Sequence, residues 1–213
     1  MTNIEVNTPH GLARVHLQPA DEPRAALVLG HGAGGGVEAP DLAAATAAAI
    51  SEGVSVALVE QPYRVAGRRS SASARQLDAA WTAVVDRLRA KELTGLPLIV
   101  GGRSAGARVA CRTAEATGAA AVLCLAFPLQ PPARRSATTQ SPSRPPELDA
   151  VRAPMLVVQG ERDRFGFPPA GPRREVVAVP GDHGLKTDRE AVRAAIRAWL
   201  QGVVQAAPIG ASS

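Results

Sequence analysis

From about residue 25 onward the chain alternates between short apolar runs and longer segments whose apolar residues recur at helical spacing. Leu27–Leu29, Val54–Val59, Leu98–Val100, Ala120–Phe127, Met155–Val158 and Val176–Val179 are nearly continuous apolar runs, a pattern that belongs to strands covered on both faces. Between them, Ala39–Glu52, Ala72–Leu93, Ala105–Thr117 and Arg189–Val204 read as helices. In the second of these Leu77, Trp81, Val84, Val85 and Leu88 recur at steps of three and four. In the last, Val192, Ile196, Trp199 and Leu200 share one face. Such alternation predicts an α/β domain with a doubly wound, mostly parallel sheet. The first 18 residues differ: Ile4–Asn7 and Ala13–Leu17 alternate apolar and polar around Pro9-His10-Gly11, which predicts an antiparallel hairpin at one sheet edge. Ala133–Ala150, rich in Pro, Ser, Thr and Arg, reads as a loop too short and too polar for a folded cap. The folded domain is expected to span 1–204, with a disordered tail at 205–213.

Composition narrows the picture. A chain of 213 residues suits one domain, and 46% hydrophobic residues suffice for its core. With only 3% aromatics, that core must be built from Ala, Val and Leu, and a substrate pocket has few aromatic walls to draw on. The net charge is +5, carried almost wholly by arginine; Lys91 and Lys186 are the only lysines. The arginines are scattered, and one Tyr, two Trp and three Phe do not make a base-stacking platform, so nucleic acid is not expected as a partner. Cys111 and Cys124 fall in a predicted helix and strand, where buried thiols are inert; neither a disulfide nor a metal site is expected from their spacing. Met1–His10 is polar, without the apolar centre of a signal peptide, and no apolar run approaches the roughly 18 residues of a membrane span. A cytoplasmic location and no membrane partner are therefore expected.

The sharpest chemical signal is Gly102-Arg103-Ser104-Ala105-Gly106, a G-x-S-x-G sequence set between a predicted buried strand and a predicted helix. In that setting the serine occupies a tight, strained turn, and its neighbours two residues away must lack side chains. A serine hydroxyl attacks poorly until a base takes its proton. His183, in Pro180-Gly181-Asp182-His183-Gly184 after the last strand, is the candidate base, since His10 and His16 lie in the hairpin and His31 in the first glycine-rich loop. Asp163, after the strand Met155–Val158, is the candidate acid to orient that base, with Glu161 and Asp182 as rivals. The loop Gly30-His31-Gly32-Ala33-Gly34-Gly35-Gly36 is expected to supply one oxyanion donor, the amide of Ala33, with the amide of Ala105 as the other. His31, Gly32, Gly34 and Arg103 are the candidate substrate contacts. The same loop also satisfies G-x-G-x-x-G through Gly30, Gly32 and Gly35, with Glu60 at the end of the next strand, the signature of a dinucleotide-binding domain. That alternative leaves Ser104, Asp163 and His183 unexplained.

Several stretches together resemble the compact α/β-hydrolases related to the dienelactone hydrolases. They are Gly30–Gly35, Glu60-Gln61-Pro62-Tyr63-Arg64, Gly101–Arg108, Ala126-Phe127-Pro128-Leu129, Gln159–Gly166 and Gly181-Asp182-His183. Within that group the chain is most similar to a small branch that includes testis-expressed eukaryotic members and a chromatin-complex subunit. The resemblance implies an α/β-hydrolase fold without a cap. It implies a serine hydrolase acting on a carboxylic ester or thioester with a small acyl group, through Ser104, His183 and Asp163, and needing no cofactor. The wider dienelactone group often uses a cysteine nucleophile, whereas this elbow holds serine. Some eukaryotic relatives act in protein complexes, so a catalytically silent scaffold that keeps the fold is the alternative.

Overall fold

The computed structural model describes residues 1–130 and 144–206. The strands are β1 (Thr2–Thr8), β2 (Gly11–Gln18), β3 (Ala25–Gly30), β4 (Val54–Glu60), β5 (Leu98–Arg103), β6 (Ala121–Leu125), β7 (Met155–Gly160) and β8 (Arg174–Val179). The helices are α1 (Pro40–Ser51), α2 (Pro62–Val65), α3 (Ala74–Ala90), α4 (Ala105–Thr113), α5 (Pro145–Asp149) and α6 (Arg189–Ala206). All eight strands form one sheet in the order β1-β2-β4-β3-β5-β6-β7-β8. The β1–β2 hairpin adds antiparallel to β4, and every pairing from β4 through β8 is parallel.

Alternate residues of the central strands feed two cores. On one face Val28, Val100, Val122, Cys124 and Val157 pack with Trp81, Val84, Val85 and Leu88 of α3 and with Val109 and Ala110 of α4. On the other, Leu27, Leu29, Ile99, Leu123, Leu125 and Leu156 pack with Leu42, Ala45 and Ala49 of α1 and with Val192, Ile196 and Leu200 of α6. Coverage on both faces is why these strands read as unbroken apolar runs. The chain winds outward from β3 through β4 in one direction and through β5 to β8 in the other. The crevice beyond the carboxyl ends of β3 and β5 is thus the switch point where open α/β sheets place their sites.

Local chemistry moves the element ends from their predicted places. Helix α3 starts at Ala74 because Ser73 and Gln76 form a reciprocal capping box. Strand β6 stops at Leu125 because Ala126 turns into the left-handed region at φ 49°. The stretch expected to be loop throughout, 133–150, contains α5, which Arg108 and Arg112 of α4 hold through Glu147; residues 133–143 lie outside those described. The start of the expected tail is helical, since Gln205 and Ala206 complete α6, and 207–213 also lie outside the described residues. Cys111 and Cys124 are free thiols, buried with their sulfurs 3.5 Å apart. Among the described residues no helix is long and apolar enough to cross a membrane.

Candidate active site

Ser104 joins β5 to α4 at φ 53°, ψ −108°, a conformation that a non-glycine residue holds only when its surroundings compel it. The compulsion comes from both sides. The Ser104 amide donates to the Leu125 carbonyl of β6 at 2.9 Å, and its carbonyl accepts from the Arg108 amide in the first turn of α4. Any side chain on Gly102 or Gly106 would run into the Gly30 carbonyl at the end of β3, so the two glycines let the elbow sit directly against the neighbouring strand. The hydroxyl is thereby raised at the amino end of α4, where free backbone amides and the helix dipole favour developing negative charge.

His183 reaches this elbow from the loop between β8 and α6. Its Nε2 lies 3.0 Å from Ser104 Oγ, and its Nδ1 lies 2.8 Å from Asp163 Oδ2. A carboxylate only accepts, so Nδ1 carries the proton and the lone pair of Nε2 faces the serine hydroxyl. The Asp163 side chain is fully buried, and both of its oxygens take donors: Oδ1 takes the Phe165 amide at 2.9 Å, and Oδ2 takes Gln159 Nε2 at 2.8 Å besides the imidazole. The rivals are placed elsewhere. Asp182 accepts from the Gly184 amide at 2.8 Å in a local turn, and among the described residues the exposed Glu161 side chain makes no hydrogen bond or ion pair with His183, whose Nδ1 faces Asp163.

Two neighbours of the constellation were not singled out from sequence. Gln159, fully buried at the end of β7, points its amide nitrogen at Asp163 Oδ2 and at the carbonyls of Phe127 and Gly166. The clue was available: a glutamine closing an apolar strand four residues before the acid needs buried partners. Phe165 packs edge-on against the His183 ring, centroids 4.5 Å apart and planes at 69°.

The glycine-rich loop after β3 divides among several tasks. His31 and Arg103, expected as substrate contacts, are engaged within the protein. His31 is buried; its Nδ1 donates to the Gly32 carbonyl at 2.8 Å, and its Nε2 accepts from the Gln61 amide at 3.1 Å. Arg103 binds Asp41 and the His183 carbonyl, and its guanidinium fills the space where Gly32 lacks a side chain. Gly34 is exposed, with open space around it. The Ala33 carbonyl accepts from the Tyr63 hydroxyl at 3.1 Å, while among the described residues the amides of Ala33 and Ala105 donate to no protein acceptor. The dinucleotide alternative fails here. Helix α1 begins at Pro40, beyond the glycines, and Glu60 turns towards Arg14 and His16 of β2. A cavity of about 310 Å³ between the hairpin turn, α2 and the start of α3 includes none of Ser104, Asp163 and His183 in its lining.

Burial pushes His31 below the ordinary histidine value of 6.5. The unfolded chain therefore takes up a proton that the native state resists, so stability falls as pH drops below about 6.5 towards the depressed native value. Thermal melts between pH 7.5 and 5.5 should show this decline. His31→Asn should melt lower throughout but with a flatter pH slope; equal slopes would refute the assignment.

An open, doubly wound sheet with a strained serine elbow at its switch point, facing a histidine and a buried carboxylate, defines the α/β-hydrolase class. The alpha/beta hydrolase domain family matches the chain over residues 23–201, and the chain belongs to that family. No curated protein sequence matches it. Among solved structures it is similar to XC6422 from Xanthomonas campestris, an α/β serine hydrolase without a lid, at 19% identity over 97% of this chain and 96% of that one, with a TM-score of 0.77. It is also similar to Est1E from Butyrivibrio proteoclasticus, at 16% identity over 96% and 100% of the two chains, TM-score 0.77. An α/β serine hydrolase homologue from Coxiella burnetii aligns at 16% identity over 93% and 97%, TM-score 0.72. At these identities the likeness speaks for the fold.

Proposed function

We propose that the chain is a serine hydrolase that cleaves a carboxylic ester or thioester of a small acyl substrate. The observation that carries this reading is the continuous contact from Ser104 Oγ through His183 Nε2 and Nδ1 to the buried Asp163 carboxylate, at 3.0 and 2.8 Å. In this reading His183 Nε2 takes the hydroxyl proton as Ser104 Oγ attacks the acyl carbon. The oxyanion forms against the free amides of Ala33 and Ala105. The imidazolium, held by Asp163, then protonates the leaving alcohol or thiol as the bond to it breaks. Water, deprotonated by the same nitrogen, then attacks the acyl carbon; the bond to Ser104 Oγ breaks, Oγ takes the proton back from the imidazolium, and the acid leaves. Every group required is a side chain or amide of this chain. The lidless neighbour and the absence of a cap domain among the described residues support small or surface-accessible acyl groups over long enclosed ones.

The test is hydrolysis of p-nitrophenyl esters from acetate to decanoate by wild type and Ser104→Ala, with fluorophosphonate labelling alongside. Wild type should label and should favour the short esters. Ser104→Ala should lose labelling and about 10⁶-fold in kcat, the scale seen when a triad serine is removed. A wild type that neither labels nor hydrolyses any ester would overturn the reading in favour of a silent scaffold.

A further inference from the structure

The residue just before Ser104 stands between the start of α1, the glycine-rich loop at Gly32 and the loop that carries His183. Arg103 Nε donates to Asp41 Oδ2 at 3.0 Å, and another nitrogen of the same guanidinium donates to the His183 backbone carbonyl at 3.0 Å. The third nitrogen lies where a Gly32 side chain would begin, 2.8 Å from that point, so Gly32 leaves the passage for it. Asp41 is fully buried in the first turn of α1, and its other oxygen accepts from the Leu42 amide at 3.0 Å. One planar cation thus ties the first turn of α1, which follows the loop that carries Ala33, to the elbow that carries Ser104 and the loop that carries His183.

The anchorage matters because it acts on the backbone of His183 itself, whereas Leu185, fully buried in the core, holds the far side of the loop and Asp163 and Phe165 hold only the His183 ring. The loop is pinned by the Arg162 amide on the Gly181 carbonyl and by short-range bonds from Gly184 and Leu185 to Asp182, and Leu185 sits in the left-handed region at φ 46°. The His183 carbonyl is two bonds from the Cα that carries the imidazole, so fixing it limits rotation of the backbone that aims Nε2. Burial pushes the Asp41 carboxyl up, and the Arg103 charge opposes that shift. Asp41 is wholly buried, and two of the three Arg103 nitrogens are engaged within the protein.

We infer that Arg103 is a positioning residue: with Asp41 as its buried anchor, it holds the His183 loop at the distance from Ser104 that proton transfer requires. This rests on the hydrolase reading above. A misplacement of about 1 Å costs on the order of 10²-fold in rate, and that is the loss expected in kcat without the clamp.

Arg103→Met alone strands a buried carboxylate and is expected to weaken the fold, so the informative variant is Asp41→Asn/Arg103→Met, which removes both charges. Its melting temperature should stay near that of wild type. For p-nitrophenyl acetate its kcat should fall about 10²-fold with KM within twofold, and fluorophosphonate labelling should slow by the same factor. Arg103→Lys, whose single ammonium cannot hold both partners, should recover only part of the loss. Hydrogen exchange read on residues 181–187 should be faster in the double variant than in wild type. A double variant that keeps kcat within twofold, or that loses activity only through KM, overturns the inference. If wild type itself proves inactive, the hydrolase reading fails, and unchanged exchange in residues 181–187 would overturn the clamp independently.

Discussion

Replacing Asp163 by asparagine should lower kcat by about 10⁴-fold, the scale for a triad acid made neutral, while the fold survives. The reason lies in the donors around the carboxylate. Phe165 donates to one oxygen, and Gln159 and His183 donate to the other. An asparagine must turn its own NH₂ towards one of these sites. Facing Phe165, it sets donor against donor. Facing Gln159 and His183, it forces the imidazole to accept at Nδ1, so the ring proton moves to Nε2 and blocks the nitrogen that must receive the serine proton. The second placement leaves Ser104 without a base in the right tautomer, and the first, besides its donor clash, leaves the imidazolium without a counter-charge. Steady-state kinetics with circular dichroism as a folding control measures this. An Asp163→Asn variant within tenfold of wild type would mean that the carboxylate does not set the tautomer.

Removing the largest buried side chain should have the largest effect on stability. Trp81 is fully buried in the α3 face of the core, and its ring lies against Gly30 at the end of β3. Trp81→Ala leaves a cavity that neighbours in a parallel sheet cannot collapse to fill, at a cost of about 3–5 kcal/mol. For a domain of this size that is on the order of 10 °C in melting temperature. Trp81→Phe should retain much of the lost stability, because among the described residues the buried indole N–H has no hydrogen-bond partner to lose. Trp199, half-buried on α6, should cost clearly less when truncated. Thermal melts of the three variants suffice, and a shift for Trp81→Ala below about 3 °C would contradict the packing argument.

Much of the architecture was legible because burial on both faces leaves an unmistakable trace. Val54–Val59 and Leu98–Val100 had to be interior strands, and helical periodicity identified α3 and α6. The elbow was legible because two glycines flanking a serine between strand and helix follow from sterics. The choice among Glu161, Asp163 and Asp182 was harder, since it depends on how each loop turns after its strand. Arg103 and His31 show the opposite difficulty. Polar residues beside a reactive motif invite a reading as substrate contacts, yet these two are committed to Asp41, the His183 carbonyl, Gly32 and Gln61. Spacing along a chain does not reveal such commitments, because most of the partners lie 30 to 80 residues away.

The hydrogen bond from the Ser104 amide to the Leu125 carbonyl also bears on the order of assembly. The strained turn is held by a strand that follows it in the chain, and its histidine arrives 79 residues after the serine. During synthesis the segment ending at α4 has no acceptor to keep Ser104 in its left-handed conformation. Once β6 has paired, the serine turn is held but still lacks the imidazole that faces it in the complete domain. The completed constellation exists only after β8 has docked and the loop carrying His183 has closed over β5. On the hydrolase reading proposed above, a nascent chain therefore has no activated serine until β8 and the His183 loop have been made and packed.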